Sequence, residues 1–203
     1  MKNLMKVILP LFVLLICSHT TFAQNETYRK NIHIGTGFSL GAAMLSSMDT
    51  IGIHNITSSP ALQFAYDKAI NKRFSVGFAY SHQDFELEHS GFAYSFLGDE
   101  IATGTEALIA DVNRNNFAVR LLWHYVSRER LDMYVAGRYG FTYWKTDVNY
   151  IGEIDDMTAR EVVWFAPQVA LGLRYYVTPK VGFNIESAFG SPHFLNVGVN
   201  YRF

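Results

Sequence analysis

The chain has 203 residues, of which 49% are hydrophobic, 15% aromatic and only 17% charged, against about 25% charged residues in an ordinary soluble domain. This composition excludes intrinsic disorder, and a formal net charge of −1 gives no basic surface for nucleic acid. The length allows one domain or two very small ones.

The N-terminal segment has the pattern of a secretory signal peptide. Lys2 and Lys6 precede an apolar run over 7–17, and Thr21-Phe22-Ala23 places small residues before a cleavage site at Gln24. The apolar run is too short to span a bilayer. The pattern therefore predicts export of the mature chain.

This cleavage divides the chain into a signal peptide, 1–23, and a single domain, 24–203. It also removes Cys17, the only cysteine. The exported chain then has no disulfide, and cysteine ligation of zinc or of an iron–sulfur cluster is excluded.

The mature chain alternates apolar with polar or small residues at the two-residue period of a β-strand. The alternation begins at 32–41 and recurs in seven further segments: 62–66, 74–80, 117–123, 133–143, 163–175, 181–189 and 195–203. Eight segments of about ten residues match the length of transmembrane β-strands.

The second face of these segments separates a membrane barrel from a soluble one. It is mostly Gly, Ala and Ser, with eight larger polar residues: Asp67, Arg120, His124, Arg138, Gln168, Arg174, Asn184 and Glu186. Small residues with a few charges suit a narrow polar lumen, whereas a soluble lipocalin-like barrel would line its interior with large apolar groups. We predict an all-β fold, an eight-stranded antiparallel up-and-down transmembrane β-barrel.

The links between the segments alternate in length. Long links are predicted at 46–59, 84–113 and 145–161, and the links between them are short turns. Outer-membrane barrels have this arrangement, with long extracellular loops and short periplasmic turns. Pro167 interrupts the sixth segment, and we expect a β-bulge there.

The C-terminal segment, 195–203, ends on an aromatic residue and has apolar residues at every second position, including Val199, Tyr201 and Phe203. It resembles the terminal strand that the barrel assembly machinery recognises. With the other features, the chain resembles the small outer-membrane β-barrel proteins of the OmpA/OmpX/OmpW-like porin-family type. The resemblance implies a monomer in the bacterial outer membrane, in contact with its lipid and lipopolysaccharide.

Enzymatic chemistry has weak support in the sequence. Ser81 and His82 are neighbours on a strand and point to opposite faces, and the pairs His89-Ser90 and Ser191-Pro192-His193 lie in links without fixed geometry. We predict no enzyme, no cofactor and no metal site. Whether the acidic long links bind divalent cations is left open.

The tight turn at 127–130 predicts the register of two strands. Counting back from it places His124 opposite Tyr134 and Arg120 opposite Arg138. Two guanidinium groups that face each other repel, so a confined lumen needs a carboxylate between them or across from them.

The predicted lumen charge cluster comprises five residues: Asp67, Arg120, Arg138, Arg174 and Glu186. We expect Glu186 to reach at least one of the three arginines and to close the middle of the barrel. The function predicted from this is a plugged barrel with a structural or surface-interaction role. A narrow small-solute channel is the alternative, and a lipid A-modifying enzyme is the third possibility.

Overall fold

The computed structural model describes residues 30–39, 53–90, 107–150 and 160–203. These residues contain ten β-strands: β1 (Lys30–Phe38), β2 (Ile53–Ser58), β3 (Ala61–Ala69), β4 (Phe74–Ser90), β5 (Ala107–Ser127), β6 (Leu131–Tyr150), β7 (Arg160–Phe165), β8 (Gln168–Tyr176), β9 (Val181–Gly190) and β10 (Leu195–Arg202). No helix in these ranges has the length and apolarity needed to cross a membrane. The predicted signal peptide lies outside the described residues.

The strands form one closed antiparallel barrel. β2 and β3 both pair with β4 and together make one barrel strand, and β7 and β8 do the same against β6. Each barrel strand pairs with the next along the chain, and β1 pairs with β10 to close the ring. The predicted eight-stranded antiparallel up-and-down barrel is confirmed.

The two faces of the barrel follow the alternation in the sequence. Each of the eight barrel strands turns large apolar residues outward, and one from each is 48–63% exposed: Ile34, Leu62, Phe78, Val119, Tyr139, Leu171, Ile185 and Val199. The inward positions between them are buried and are small or polar. The apolar core inside the barrel is correspondingly small, a cluster of Leu122, Tyr134, Ala136 and Ala170.

The predicted long links at 84–113 and 145–161 are wrong in extent. β4 and β5 remain paired far beyond the apolar belt, as far as Ser90 and Ala107, and β6 extends to Tyr150. β2 likewise lies within the link predicted at 46–59. The apolar alternation ends before the strands do, because a strand beyond the apolar belt can carry charges on its outward face.

The predicted bulge at Pro167 is also wrong. Phe141 pairs with Phe165 in β7, and Arg138 pairs with Gln168 in β8. The two pairs are three positions apart on both strands, so no extra residue is inserted. Pro167 is exposed and has no N–H to donate, and the strand is simply interrupted there.

Candidate functional site in the barrel lumen

The β5–β6 hairpin sets the register of the lumen. The N–H of Arg128 donates to the carbonyl of Leu131 at 2.7 Å and closes the turn. As predicted, Arg120 pairs with Arg138, and His124 pairs with Tyr134, although the register shifts by one residue between His124 and Val126. All four of these side chains are buried inside the barrel.

A central cluster of ion pairs crosses the lumen. Arg120 donates from Nη2 to Oε1 of Glu186 at 2.5 Å, and its Nε lies 3.3 Å from Oδ1 of Asp67. Arg174 donates to Oδ2 of the same aspartate at 2.6 Å. These residues come from β3, β5, β8 and β9, so the contacts join opposite walls of the barrel.

Two more side chains extend this central cluster. The hydroxyl of Tyr134 donates to Oε1 of Glu186 at 2.6 Å, and the guanidinium of Arg174 lies 4.4 Å from the centre of the tyrosine ring. Nη1 of Arg174 is also 3.6 Å from Oδ2 of Asp132. The positive and negative groups therefore alternate across the lumen, which offsets part of the cost of burying them.

Arg138 is the one predicted cluster residue that forms no ion pair with the described residues. It is 1% exposed and donates only weakly, to Oε1 of Gln63 at 3.3 Å and to Oγ of Ser81 at 3.5 Å. The structure therefore brings four of the five predicted residues together and places Arg138 beside them without a carboxylate.

A serine–histidine–aspartate chain lies at the end of the barrel that has the short turns (the turn end). Oγ of Ser75 is 2.9 Å from Nε2 of His124, whose Nδ1 donates to Oδ1 of Asp132 at 2.7 Å. Hydrolase triads use these residue types in this order. Sequence reasoning missed the chain because it sought pairs close in sequence, whereas three adjacent strands bring these residues together.

The opposite end, which has the long hairpins (the hairpin end), is covered by the link between β9 and β10. Pro192 and His193 of this link are fully buried inside the barrel. Arg114 donates to the carbonyl of Pro192 at 2.7 Å, and Gln168 donates to the carbonyl of His193 at 2.6 Å. The link is thereby held in the lumen from two other barrel strands.

One arginine holds two of the short turns together at the turn end. Arg202 donates to the carbonyls of Pro179 at 2.6 Å and Glu129 at 2.7 Å, and its guanidinium lies 3.7 Å from the centre of the Tyr176 ring. Both ends of the lumen therefore carry side chains that restrict entry.

The remaining predicted site residues face outward. Val199, Tyr201 and Phe203 are exposed on the outer surface of β10 and just after it. Among the described residues there is no group of three or more His, Cys, Asp or Glu side chains that could hold a metal ion.

No protein-family model and no curated protein matches the chain. Among solved structures it is similar to Ail, the attachment invasion locus protein of Yersinia pestis, with 14% identity and a TM-score of 0.47 over 87% of this chain and 99% of that chain. The N-terminal β-barrel domain of Pseudomonas aeruginosa OprF is similar too, with 11% identity and a TM-score of 0.48 over 87% and 98%. The outer membrane protease OmpT from Escherichia coli has 11% identity and a TM-score of 0.45 over 92% and 99%.

The chain has the fold of a closed eight-stranded antiparallel β-barrel. The closed ring of eight strands, the polar interior and the apolar outer surface are the features of that fold. At these identities the likeness concerns the fold alone.

Proposed function

We propose that this protein is a β-barrel of the bacterial outer membrane whose lumen is closed, and that it serves a structural or surface-interaction role. The observation that carries the proposal is the central cluster, in which Arg120 binds Glu186 and Asp67 across the barrel. A lumen crossed by buried ion pairs offers no continuous path for a solute.

The outer surface supports a place in a lipid bilayer. Apolar side chains such as Phe78, Val119 and Leu171 are exposed on every side of the barrel, and water would be a poor solvent for a belt of this extent. Lipid solvates such a belt, and the closed ring satisfies the backbone hydrogen bonds of the strands within it. Outer-membrane lipid and lipopolysaccharide are therefore the proposed surroundings.

We further propose that the barrel assembly machinery recognises the C-terminal strand and that the protein works as a monomer. Val199, Tyr201 and Phe203 present an outward apolar row that a recognition partner could contact during insertion. Because β10 pairs with β1, the folded ring leaves no strand edge within the belt for a second copy.

The proposed orientation places the hairpin end at the cell surface and the turn end in the periplasm. Two exposed glutamates test it, because Glu86 lies on the β4–β5 hairpin and Glu129 on the β5–β6 turn. We expect a membrane-impermeant maleimide to label Glu86→Cys in intact cells, and to label Glu129→Cys only after lysis. Labelling of Glu129→Cys alone in intact cells would show that the orientation is inverted.

Conductance measurements test the closed lumen. Purified protein in planar bilayers should give no discrete conductance steps, because the central cluster and the link at Pro192 and His193 both obstruct the barrel. Leakage from a damaged bilayer is recognised by its irregular size, and a boiled sample serves as the control. Regular conductance steps of one size from the native protein would show that the lumen is an open channel and not closed.

The narrow small-solute channel is the second candidate function. It is favoured by buried polar atoms that have no hydrogen-bond partner among the described residues, including both amide atoms of Asn184 and of Asn200. Such groups are usually hydrated, and the small inward residues leave space for water. The conductance experiment separates this candidate from the closed barrel.

We assign no enzymatic role to the protein. The hydrogen bonds that link Ser75, His124 and Asp132 suit a nucleophile and its base, but the Ser75 side chain is only 4% exposed. A lipid acyl chain cannot reach a hydroxyl that is enclosed in this way. We therefore rank a lipid A-modifying enzyme third, behind the closed barrel and the channel.

A further inference from the structure

Arg138 is a buried cation that forms no direct ion pair with any described residue. Its two contacts are long and are made to neutral oxygen atoms, and its Nε has no hydrogen-bond partner among the described residues. The residue paired with it on β5 is a second arginine, Arg120. Because a guanidinium keeps its proton even when buried, a negative charge at this position would stabilise the folded protein.

The carboxylates of the lumen have other ion-pair partners. Glu186 binds Arg120, Asp67 binds Arg120 and Arg174, and Asp132 binds His124 and Arg174, as described above. No described carboxylate lies within 4.0 Å of Arg138, the limit for an ion pair. A buried charge without a direct ion pair destabilises the folded state in a low-dielectric interior.

Gln63 and Ser81 contact the guanidinium of Arg138. Gln63 accepts from it through Oε1, while the Nε2 of the same amide has no hydrogen-bond partner among the described residues. Gln168 is the β8 residue paired with Arg138, and it holds His193 through the histidine carbonyl. Both ring nitrogens of His193 are buried and have no partner in the part of the chain that the structure describes. One of these nitrogens carries a proton in the neutral ring and can donate it.

The walls at this level are made of small residues. Ala79 pairs with Ala118 on one side of the barrel, and Gly37 pairs with Ala61 on another. Gly37 also lies directly against the side chain of His193. The central cluster on one side and the inward-folded link on the other limit any ligand at Arg138 to a few atoms.

We infer that the lumen binds a small inorganic anion of about the size of chloride at Arg138, between the central cluster and the link that contains His193. The guanidinium supplies the charge, and the amide of Gln63 and the ring of His193 supply neutral donors. The inference rests on the closed lumen proposed above, and it concerns stability and binding rather than conductance.

The salt dependence of unfolding tests the anion site. The purified protein in detergent is unfolded by heat in potassium chloride, phosphate or gluconate at equal ionic strength, gluconate being too large for the site. We expect the unfolding midpoint in chloride to exceed that in gluconate by about 2–4 °C, because a ligand that binds only the folded state stabilises it. Arg138→Gln should abolish this difference.

Arg202→Gln is the matched control, because Arg202 is bonded to carbonyl groups at the other end of the lumen. It should keep the difference between chloride and gluconate. Equal midpoints of the native protein in all three salts would overturn the inference, and stabilisation by phosphate alone would overturn the assignment to a chloride-sized ion. A difference that persists in Arg138→Gln would also overturn it.

A direct measurement covers the case in which Arg138→Gln does not fold. Crystals of the native protein soaked in bromide should show an anomalous peak within hydrogen-bond distance of the guanidinium. Absence of that peak at full bromide occupancy elsewhere in the crystal would count against the site. The result is independent of conductance, so failure of the anion site and failure of the closed lumen are distinguishable.

Discussion

Replacing Glu186 with alanine should destabilise the barrel and open its lumen to ions. Glu186 is 1% exposed and accepts hydrogen bonds from Arg120 and Tyr134 through one oxygen. Its removal leaves a buried guanidinium with one carboxylate fewer, and breaking a buried pair in this way costs about 3–5 kcal/mol. It also removes the ion pair between Arg120 and Glu186, which joins β5 to β9 across the lumen.

Two measurements check the effect of Glu186→Ala. Thermal unfolding in detergent should show a lower midpoint, and planar bilayers should show conductance steps that the native protein lacks. Glu86→Ala is the matched control, because Glu86 is an exposed glutamate on the β4–β5 hairpin and should change neither quantity. If Glu186→Ala keeps the native midpoint and remains non-conducting, the central cluster does not close the lumen.

Asp67→Asn should have an effect of at least the same size. Asp67 is 2% exposed and is shared by Arg120 at 3.3 Å and Arg174 at 2.6 Å. The amide keeps the shape of the side chain but removes the charge that both guanidinium groups face. We expect a loss of about 3–5 kcal/mol in the free energy of unfolding.

A double-mutant cycle checks the origin of the Asp67→Asn effect. Arg174→Met removes one of the two cations, so the double variant should lose less stability than the sum of the single variants. Asp84→Asn, at an exposed aspartate of β4, controls for the amide substitution itself. Strict additivity would show that Asp67 and Arg174 do not stabilise one another, and that the contact carries no energy.

The two faces of the barrel could be predicted from the sequence because they depend on local chemistry. A period of two sends alternate residues to opposite faces, and the residue types on each face then show which one meets lipid. The pairing of His124 with Tyr134 is predicted from the short turn, but the structure reaches it through a one-residue register shift between His124 and Val126 that the turn does not show. The length of the hairpins could not be predicted from the sequence, because outward charges occur both in loops and in strands that extend beyond the lipid.

The alternation of residues by itself determined the eight-stranded barrel and its inward positions. Only the tertiary structure decided which inward groups meet. It gave Asp67 two arginines and placed no described carboxylate within ion-pair distance of Arg138, and it linked Ser75 to Asp132 through His124. The physical reason is that the strands close into a ring. Contacts across its lumen depend on the relative shift of all the strands and on the reach of the side chains, and no single segment of the sequence determines either quantity.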